Sequence, residues 1–207
     1  MRTRTGLSAD YADDADSEFG QSRIQKPGCH VRVSSGRYKS RELEYPRAGL
    51  RPTKAVTRQA MFNIVGSRVR GAKACDLYAG GGSLGIEALS RGAESVVFVE
   101  QQAMVLRFLR QNLKGLPNVT LVRGDVLRVL KKLAGVRFDL VLADPPYLHG
   151  LVQATLDRAA EFDVLAPDGW FVAEHHRQEM PLAPNGWETI KQGTYGETLV
   201  SVLRRLS

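Results

Sequence analysis

Asp144-Pro145-Pro146-Tyr147 joins a carboxylate, a rigid backbone frame and an aromatic ring, directly after the apolar run 138–143. This set of groups suits alkylation of an exocyclic amine on a nucleic-acid base. Such an amine is a poor nucleophile because its lone pair is delocalised into the ring. Two acceptors that hold its two N–H bonds draw the nitrogen toward sp³ geometry and aim the lone pair outward. The Asp144 carboxylate is one acceptor, and the Pro145 carbonyl is the natural second. Proline fixes its own φ and restricts the residue before it, so Pro145 and Pro146 hold these acceptors in place. The Tyr147 ring can stack on a base that has left its helix, a contact worth about 1–3 kcal/mol. With no ligand, the same four residues would be a Pro-Pro turn ending in an exposed tyrosine.

A second cluster precedes it. Gly80-Gly81-Gly82-Ser83-Leu84-Gly85 fits GxGxxG between a strand and a helix, and Glu100 follows Gly80 by 20 positions, at the end of the next strand. Glycines allow a tight turn and close approach of a ligand, and the later carboxylate can accept both hydroxyls of a ribose. NAD fits the bare pattern. Two acids favour S-adenosylmethionine (SAM). Asp76 lies four positions before Gly80, where it could hold the ammonium of a methionine moiety. A pyrophosphate would gain nothing from a carboxylate there. Asp125 could reach the amine edge of an adenine; it could equally cap the helix beginning at Val126, and the two roles are compatible.

These residues need elements to carry them. From residue 73 the chain alternates strands and helices. Strands are expected at 74–78, 95–99, 119–122, 138–143, 169–174, 187–194 and 197–204. Helices are expected at 86–90, 101–114, 126–133 and 150–162. On the helix 101–114, Ala103, Leu106, Leu109 and Leu113 are expected to form the apolar face. The last two strands form an antiparallel pair turning at Gly196. This predicts an α/β fold: a mostly parallel seven-stranded sheet with helices on both faces and the motifs at its carboxyl edge. Upstream, a helix is expected from Thr53 through Val56, Ala60 and Ile64. Residues 29–46 read as a basic β-hairpin turning at Ser35-Gly36.

The net charge of +7 is unevenly placed: −1 over residues 1–27, +9 over 28–75 and −1 over 76–207. A concentrated basic region is the footprint of a polyanion site. Arg32, Arg37, Lys39 and Arg41 around the hairpin turn suit backbone phosphates, and Arg51 could meet phosphate or cofactor. Residues 1–27 read as a disordered tail, 28–53 as the basic hairpin region and 54–207 as the main domain. No apolar run is long enough to span a membrane, and no secretory leader is evident. Cys29 and Cys75 have no metal-type spacing and read as reduced thiols, and His175 and His176 lack an acidic or cysteine cluster, so no metal is expected; His149 could help hold RNA or simply start a helix. A cytoplasmic monomer accommodates all of this.

The segments SSGRYKSREL, GLRPTKAVTRQAMFNIV, CDLYAGGGSLGIEALSRGAESVVFVE, FDLVLADPPY and YGETLV closely resemble the RsmD family, the 16S rRNA (guanine-N2) methyltransferases, over residues 30 to about 205. The resemblance implies the Rossmann-like class I SAM-dependent methyltransferase fold with an N-terminal hairpin. It implies a guanine of small-subunit rRNA as substrate, position 966 in the usual rRNA numbering, offered as 16S rRNA or a small-subunit particle. It implies SAM contacts at Asp76, Tyr78, Gly80, Gly82, Glu100 and Asp125, with Ala79, Gly85 and Val126 in the same segments, and the target amine at Asp144 to Tyr147. The chain departs from the family pattern at Gly81, where Gly-Ser-Gly is usual, at the less glycine-rich hairpin turn, and in its acidic tail. A DNA adenine or protein glutamine methyltransferase would use the same four residues. An NAD-dependent oxidoreductase or a non-catalytic RNA-binding module are the readings from other classes.

Overall fold

Seven strands form one sheet in the order β5-β4-β3-β6-β7-β9-β8. In this computed structural model, which describes residues 29–46 and 53–206, they are β3 (Lys73–Leu77), β4 (Ser95–Glu100), β5 (Val119–Arg123), β6 (Phe138–Ala143), β7 (Leu165–His176), β8 (Trp187–Tyr195) and β9 (Thr198–Arg205). β3, β4, β5, β6 and β7 pair in parallel, and β9 runs antiparallel between β7 and β8. The expected closing hairpin is present, with Tyr195 opposite Thr198 across Gly196. β7 is longer than the apolar run 169–174, because the ladder shifts register beside Phe138 and Leu140 and takes in the irregular segment around Asp168, whose φ is +57°. β1 (Cys29–Arg32) and β2 (Glu42–Tyr45) form the separate two-stranded hairpin.

Side chains alternate across the sheet, giving two apolar layers. Val96, Phe98, Leu140, Leu142, Val172 and Val200 face α1 (Ala55–Val65), α2 (Ser83–Ser90) and α3 (Ala103–Leu113). Val97, Val99, Val141, Phe171 and Ala173 face α4 (Val126–Lys132) and α5 (Leu151–Glu161). Both faces are therefore covered, as a parallel sheet requires. Val33, Leu43 and Tyr45 of the hairpin region belong to the first layer, so the hairpin shares the core of the sheet.

The start of α1 and the face of α3 differ from the sequence expectation. The helix expected from Thr53 begins at Ala55; of Val56, Ala60 and Ile64, Val56 is 68% exposed, Ala60 is buried and Ile64 packs against the core, while Thr57, Arg58, Met61, Phe62 and Val65 are buried with Ala60. Arg58 faces a charged partner on α2. In α3 Ala103 is exposed, and Asn112 lies within the buried face.

The charged partner is Glu87, with no exposure. Its Oε2 accepts from the Ser34 amide (2.7 Å) and its Oε1 from the Ser34 hydroxyl (2.8 Å) and Arg91 Nε (2.7 Å). Arg58 Nε stands 3.8 Å from Oε2, and Arg58 also donates to the Arg32 carbonyl (2.8 Å). Hairpin, α1 and α2 thus meet at one carboxylate. Burial pulls the Arg58 guanidinium below its usual range, and Glu87 opposes that shift.

Residues 1–28, which hold the expected tail, and residues 47–52, which include Arg51, lie outside the described residues. Cys75 is a free, buried thiol. Among the described residues no His/Cys/Asp/Glu group could hold a metal, and no helix is long and apolar enough to cross a membrane.

Removing one partner of a buried ion pair strands the other, at a cost of about 3–5 kcal/mol. Glu87→Ala is expected to lose stability on that scale in urea unfolding. A loss below about 1 kcal/mol would show that Arg58 finds another partner.

Candidate active site

The register aligns β3, β4 and β6 so that Leu77 lies beside both Val99 and Ala143. The glycine loop, Glu100 and Asp144 therefore leave the sheet along one edge, where the strand order reverses at β3. Asp76 pairs in register with Phe98 and with Leu142, so it shares their face, and Glu100 and Glu174 follow the same alternation. A cleft of about 330 Å3 opens there, within the range of small-molecule sites. Its walls include Tyr78, Val99, Glu100, Gln101, Gln102 and Val126 on one side, and Thr53, Lys54, Asp144 to Tyr147, Glu174 and Thr198 on the other.

The glycine loop is held from below. Glu100, 6% exposed, accepts from the Gly80 amide (2.8 Å) and the Gln102 amide (2.7 Å), one on each oxygen. Each oxygen keeps a second lone pair for a ligand hydroxyl. Asp76 is 1% exposed; its Oδ2 accepts from the Gly85 amide (2.8 Å), while its Oδ1 is buried without a hydrogen-bond partner. Burial pushes Asp76 up to about 8, against the Gly85 hydrogen bond, with Asp144 and Glu100 adding to the rise. Gly85 is required here, since a Cβ would sit 2.3 Å from the Phe98 ring. Gly81 is required too: a Cβ would meet the Tyr45 ring at 2.4 Å. A serine at position 81 would collide with Tyr45, so Gly81 and the hairpin tyrosine form a matched pair.

Tyr78 has φ +62° and its hydroxyl lies 2.7 Å from Thr155 Oγ1. Asp125 caps α4, accepting from the Arg128 amide (3.1 Å); Val126, next in the chain, lines the cleft and Asp125 does not. Ala79 is buried, and Gly82, with φ +88°, is the N-cap position of α2.

On the opposite wall, Pro145 is buried and Pro146 exposed. The Thr53 hydroxyl donates to Asp144 Oδ2 at 2.5 Å. The Tyr147 hydroxyl donates to Glu174 and lies 3.2 Å from Thr198 Oγ1. Burial, followed by the bond to Glu174, raises this phenol far above its ordinary value. The ring is thus fixed at its far end while it lines the cleft. Glu179 accepts from the Leu148 and Gly150 amides (2.6 and 2.9 Å) and ties down the following loop.

The basic hairpin residues have varied surroundings. Arg32 pairs with Glu42 across the strands (2.7 Å). Arg41 donates to the carbonyls of Asn112 and Lys114 (both 2.8 Å), docking the hairpin on the C-terminus of α3. Arg37 lies over Tyr38, and its amide bonds the Ser90 carbonyl at the end of α2. The turn with Arg37 and Lys39 therefore sits at the end of α2 away from the glycine loop.

Several residues of the site were not anticipated. Thr53 and Thr198 stand in segments that carried the resemblance, and Glu174 is an acid ending an apolar strand. Asn112 is a polar residue on the apolar stripe of α3: it bonds the Gly81 carbonyl (2.9 Å) and both backbone groups of Glu44, joining loop to hairpin. A lone polar residue at a buried helical position was the available signal. His175 is buried against Ser201 (2.8 Å), and burial lowers its pKa, so it is a core residue.

Together the sheet order and the carboxyl-edge cleft define a class I methyltransferase fold. The family described as conserved hypothetical protein 95 matches residues 31–204, and the chain belongs to it; this is the RsmD family. YlbH of Bacillus subtilis is similar at 35% identity over 182 residues, 84% of this chain and 99% of that one. The ribosomal RNA small subunit methyltransferase D of Haemophilus influenzae is 30% identical over 84% of this chain and 94% of its own. Among solved structures, yhhF of Escherichia coli superposes with a TM-score of 0.78 at 28% identity, covering 86% of this chain and 99% of that one.

Asp76 gives a pH signature. A carboxyl raised on folding contributes stability that is complete below its unfolded value of 3.8 and is lost as pH rises through about 8. The ligand-free protein is expected to weaken across that window more than Asp76→Asn does, in urea titrations at stepped pH. Parallel curves would mean that Asp76 is not desolvated.

Proposed function

We propose that this chain transfers a methyl group from SAM to the exocyclic N2 amine of a guanine, position 966, in the 16S rRNA of the small ribosomal subunit. The observation that carries the reading is that a single cleft is lined both by Glu100, Tyr78 and Val126 and by Asp144 to Tyr147. A cofactor site and an amine site open into the same space.

The residues present fit SAM. The buried Asp76 oxygen without a partner suits an ammonium, Glu100 retains lone pairs for ribose hydroxyls, and Val99 and Val126 offer apolar walls to an adenine. NAD fits less well, because the Asp76 carboxylate already occupies the Gly85 amide in the first turn of α2, where a pyrophosphate would bind. SAM supplies an electrophilic methyl on a sulfonium. Asp144 accepts one N–H of the amine and the Pro145 carbonyl the other, so the lone pair turns toward the cofactor side of the cleft. Tyr147, anchored by Glu174, holds the base plane. The amine becomes acidic as the new bond forms, and Asp144 or water takes the proton. Positioning is the main source of acceleration.

The names of the Haemophilus influenzae and Escherichia coli relatives, both small subunit methyltransferase D, support rRNA as the substrate. Lys54 at the cleft and Arg37 and Lys39 on the hairpin turn offer phosphate contacts. The reading includes action as a cytoplasmic monomer, with the hairpin region and main domain working as one unit.

Labelled SAM offered with 16S rRNA, assembled small subunits, duplex DNA and a protein pool tests the reading. Label is expected in the rRNA or the subunits, and Asp144→Ala is expected to abolish it with RNA affinity little changed. Label in DNA alone, or full turnover by the variant, would defeat it. Charge reversal at Arg37 and Lys39 is expected to weaken RNA binding and flatten its salt dependence. An unchanged slope would remove the hairpin turn from the RNA surface.

A further inference from the structure

We propose that Thr53 is a positioning residue for methyl transfer: its hydroxyl holds the Asp144 carboxylate ionised and rotated so that an oxygen is presented to the target amine. The inference rests on the role of Asp144 given above.

A threonine just before a helix ordinarily caps it. Thr53 does not. The N-cap position of α1 is Lys54, which makes no side-chain cap bond, and the Thr53 hydroxyl donates to Asp144 Oδ2 at 2.5 Å. A good capping residue is displaced by one position from the place where it would serve its helix, and it serves the opposite strand end instead. Both residues line the cleft. The donor is also rigidly supported. Arg58, whose amide bonds the Lys54 carbonyl (2.9 Å), is tied to the Arg32 carbonyl and to Glu87, so the start of α1 next to Thr53 is fixed.

The surroundings explain why a donor is needed. Among the described residues, the ionisable groups near this carboxylate are Asp76 on β3, Glu100 at the end of β4, Tyr147 beyond β6, Glu174 on β7, Tyr78 after β3 and Lys54 before α1. Three are carboxyls, of which Asp76 is pushed up to about 8; the raised phenols carry no charge, so the negative charge comes chiefly from Glu100 and Glu174, with Lys54 the one cation of the six. Neighbouring negative charge favours protonation of a carboxylate, and a hydrogen bond to the charged form opposes it. A protonated Asp144 could present an O–H to the amine where an acceptor is required. The hydroxyl also restricts rotation about Cβ–Cγ, leaving Asp144 with a defined face toward the cleft.

The test compares Thr53→Val, nearly the same shape without a donor, with Thr53→Ser, which keeps one. RNA methylation is followed between pH 5 and 9 with both substrates saturating. The Asp144 carboxyl carbon is titrated by 13C NMR in the protein alone. Thr53→Val is expected to lower kcat at neutral pH about tenfold, on the scale of a hydrogen bond to a charged group. Its acid limb and the Asp144 titration should both move up by about one pH unit. KM for SAM and the RNA affinity should stay within about twofold of wild type, and Thr53→Ser should restore rate and profile. A Thr53→Val protein with wild-type kcat and acid limb overturns the inference. So does an equal loss in both variants with an unmoved NMR titration, which would make Thr53 a packing residue. A wild-type protein that methylates no RNA defeats the functional reading, and this inference with it; an active wild type with either preceding result defeats this inference alone.

Discussion

A fully buried carboxylate, Glu87 on α2, fixes how the hairpin and α1 sit against the sheet. A charge in that position must be neutralised and hydrogen-bonded or the fold pays heavily. Its partners come from three directions: Ser34 from the hairpin, Arg91 from its own helix and Arg58 from α1. Satisfying it fixes the hairpin on α2 and holds Arg58 of α1 inward. The fixed hairpin then brings Tyr45 onto Gly81, and Asn112 closes the contact by bonding both Glu44 and Gly81. The glycine loop is therefore shaped by residues far from it in sequence.

The same side of the sheet carries Asp76, Glu100 and Glu174, with Asp144 following β6 at the same edge. Such a concentration of acid would be unstable if every group were desolvated and ionised together. Each is handled differently. Glu100 receives two amides, Asp144 receives the Thr53 hydroxyl, Glu174 takes the phenol of Tyr147, and Asp76 is left with one amide and a raised pKa. The least compensated group sits deepest, beneath the glycine loop, which suits a cationic part of a ligand. The better compensated Asp144 stands beside the two prolines, where an amine would be held.

Much of this was legible in the sequence because it depends on local pattern. Alternating apolar strands and amphipathic helices gave the seven strands and their class. Asp144 to Tyr147 and Glu100 were visible as polar groups at the ends of apolar runs. Residues whose roles depend on tertiary packing were hidden. Arg32 and Arg41 read as phosphate contacts; the pattern did not show that Arg32 also pairs with Glu42 or that Arg41 bonds the carbonyls ending α3. Arg58 read as part of the basic surplus, yet it is 2% exposed. Net charge counts residues without regard to what they face, so it did not separate the buried Arg58 from the exposed Arg32. The spacing of Val56, Ala60 and Ile64 gave the helix α1, but not that Thr57 and Arg58 would be buried in it.

The central claim is that Asp144 to Tyr147 direct a methyl group to a guanine amine of small-subunit rRNA. The most direct measurement is nucleoside and fragment mass spectrometry of 16S rRNA from cells lacking the gene, complemented with the wild-type chain or with Asp144→Ala. The account predicts loss of a single N2-methylguanine, its return with the wild type and its continued absence with the variant. An unchanged set of rRNA methylations in cells lacking the gene, or a lost methyl group that maps to a base other than guanine, would contradict it.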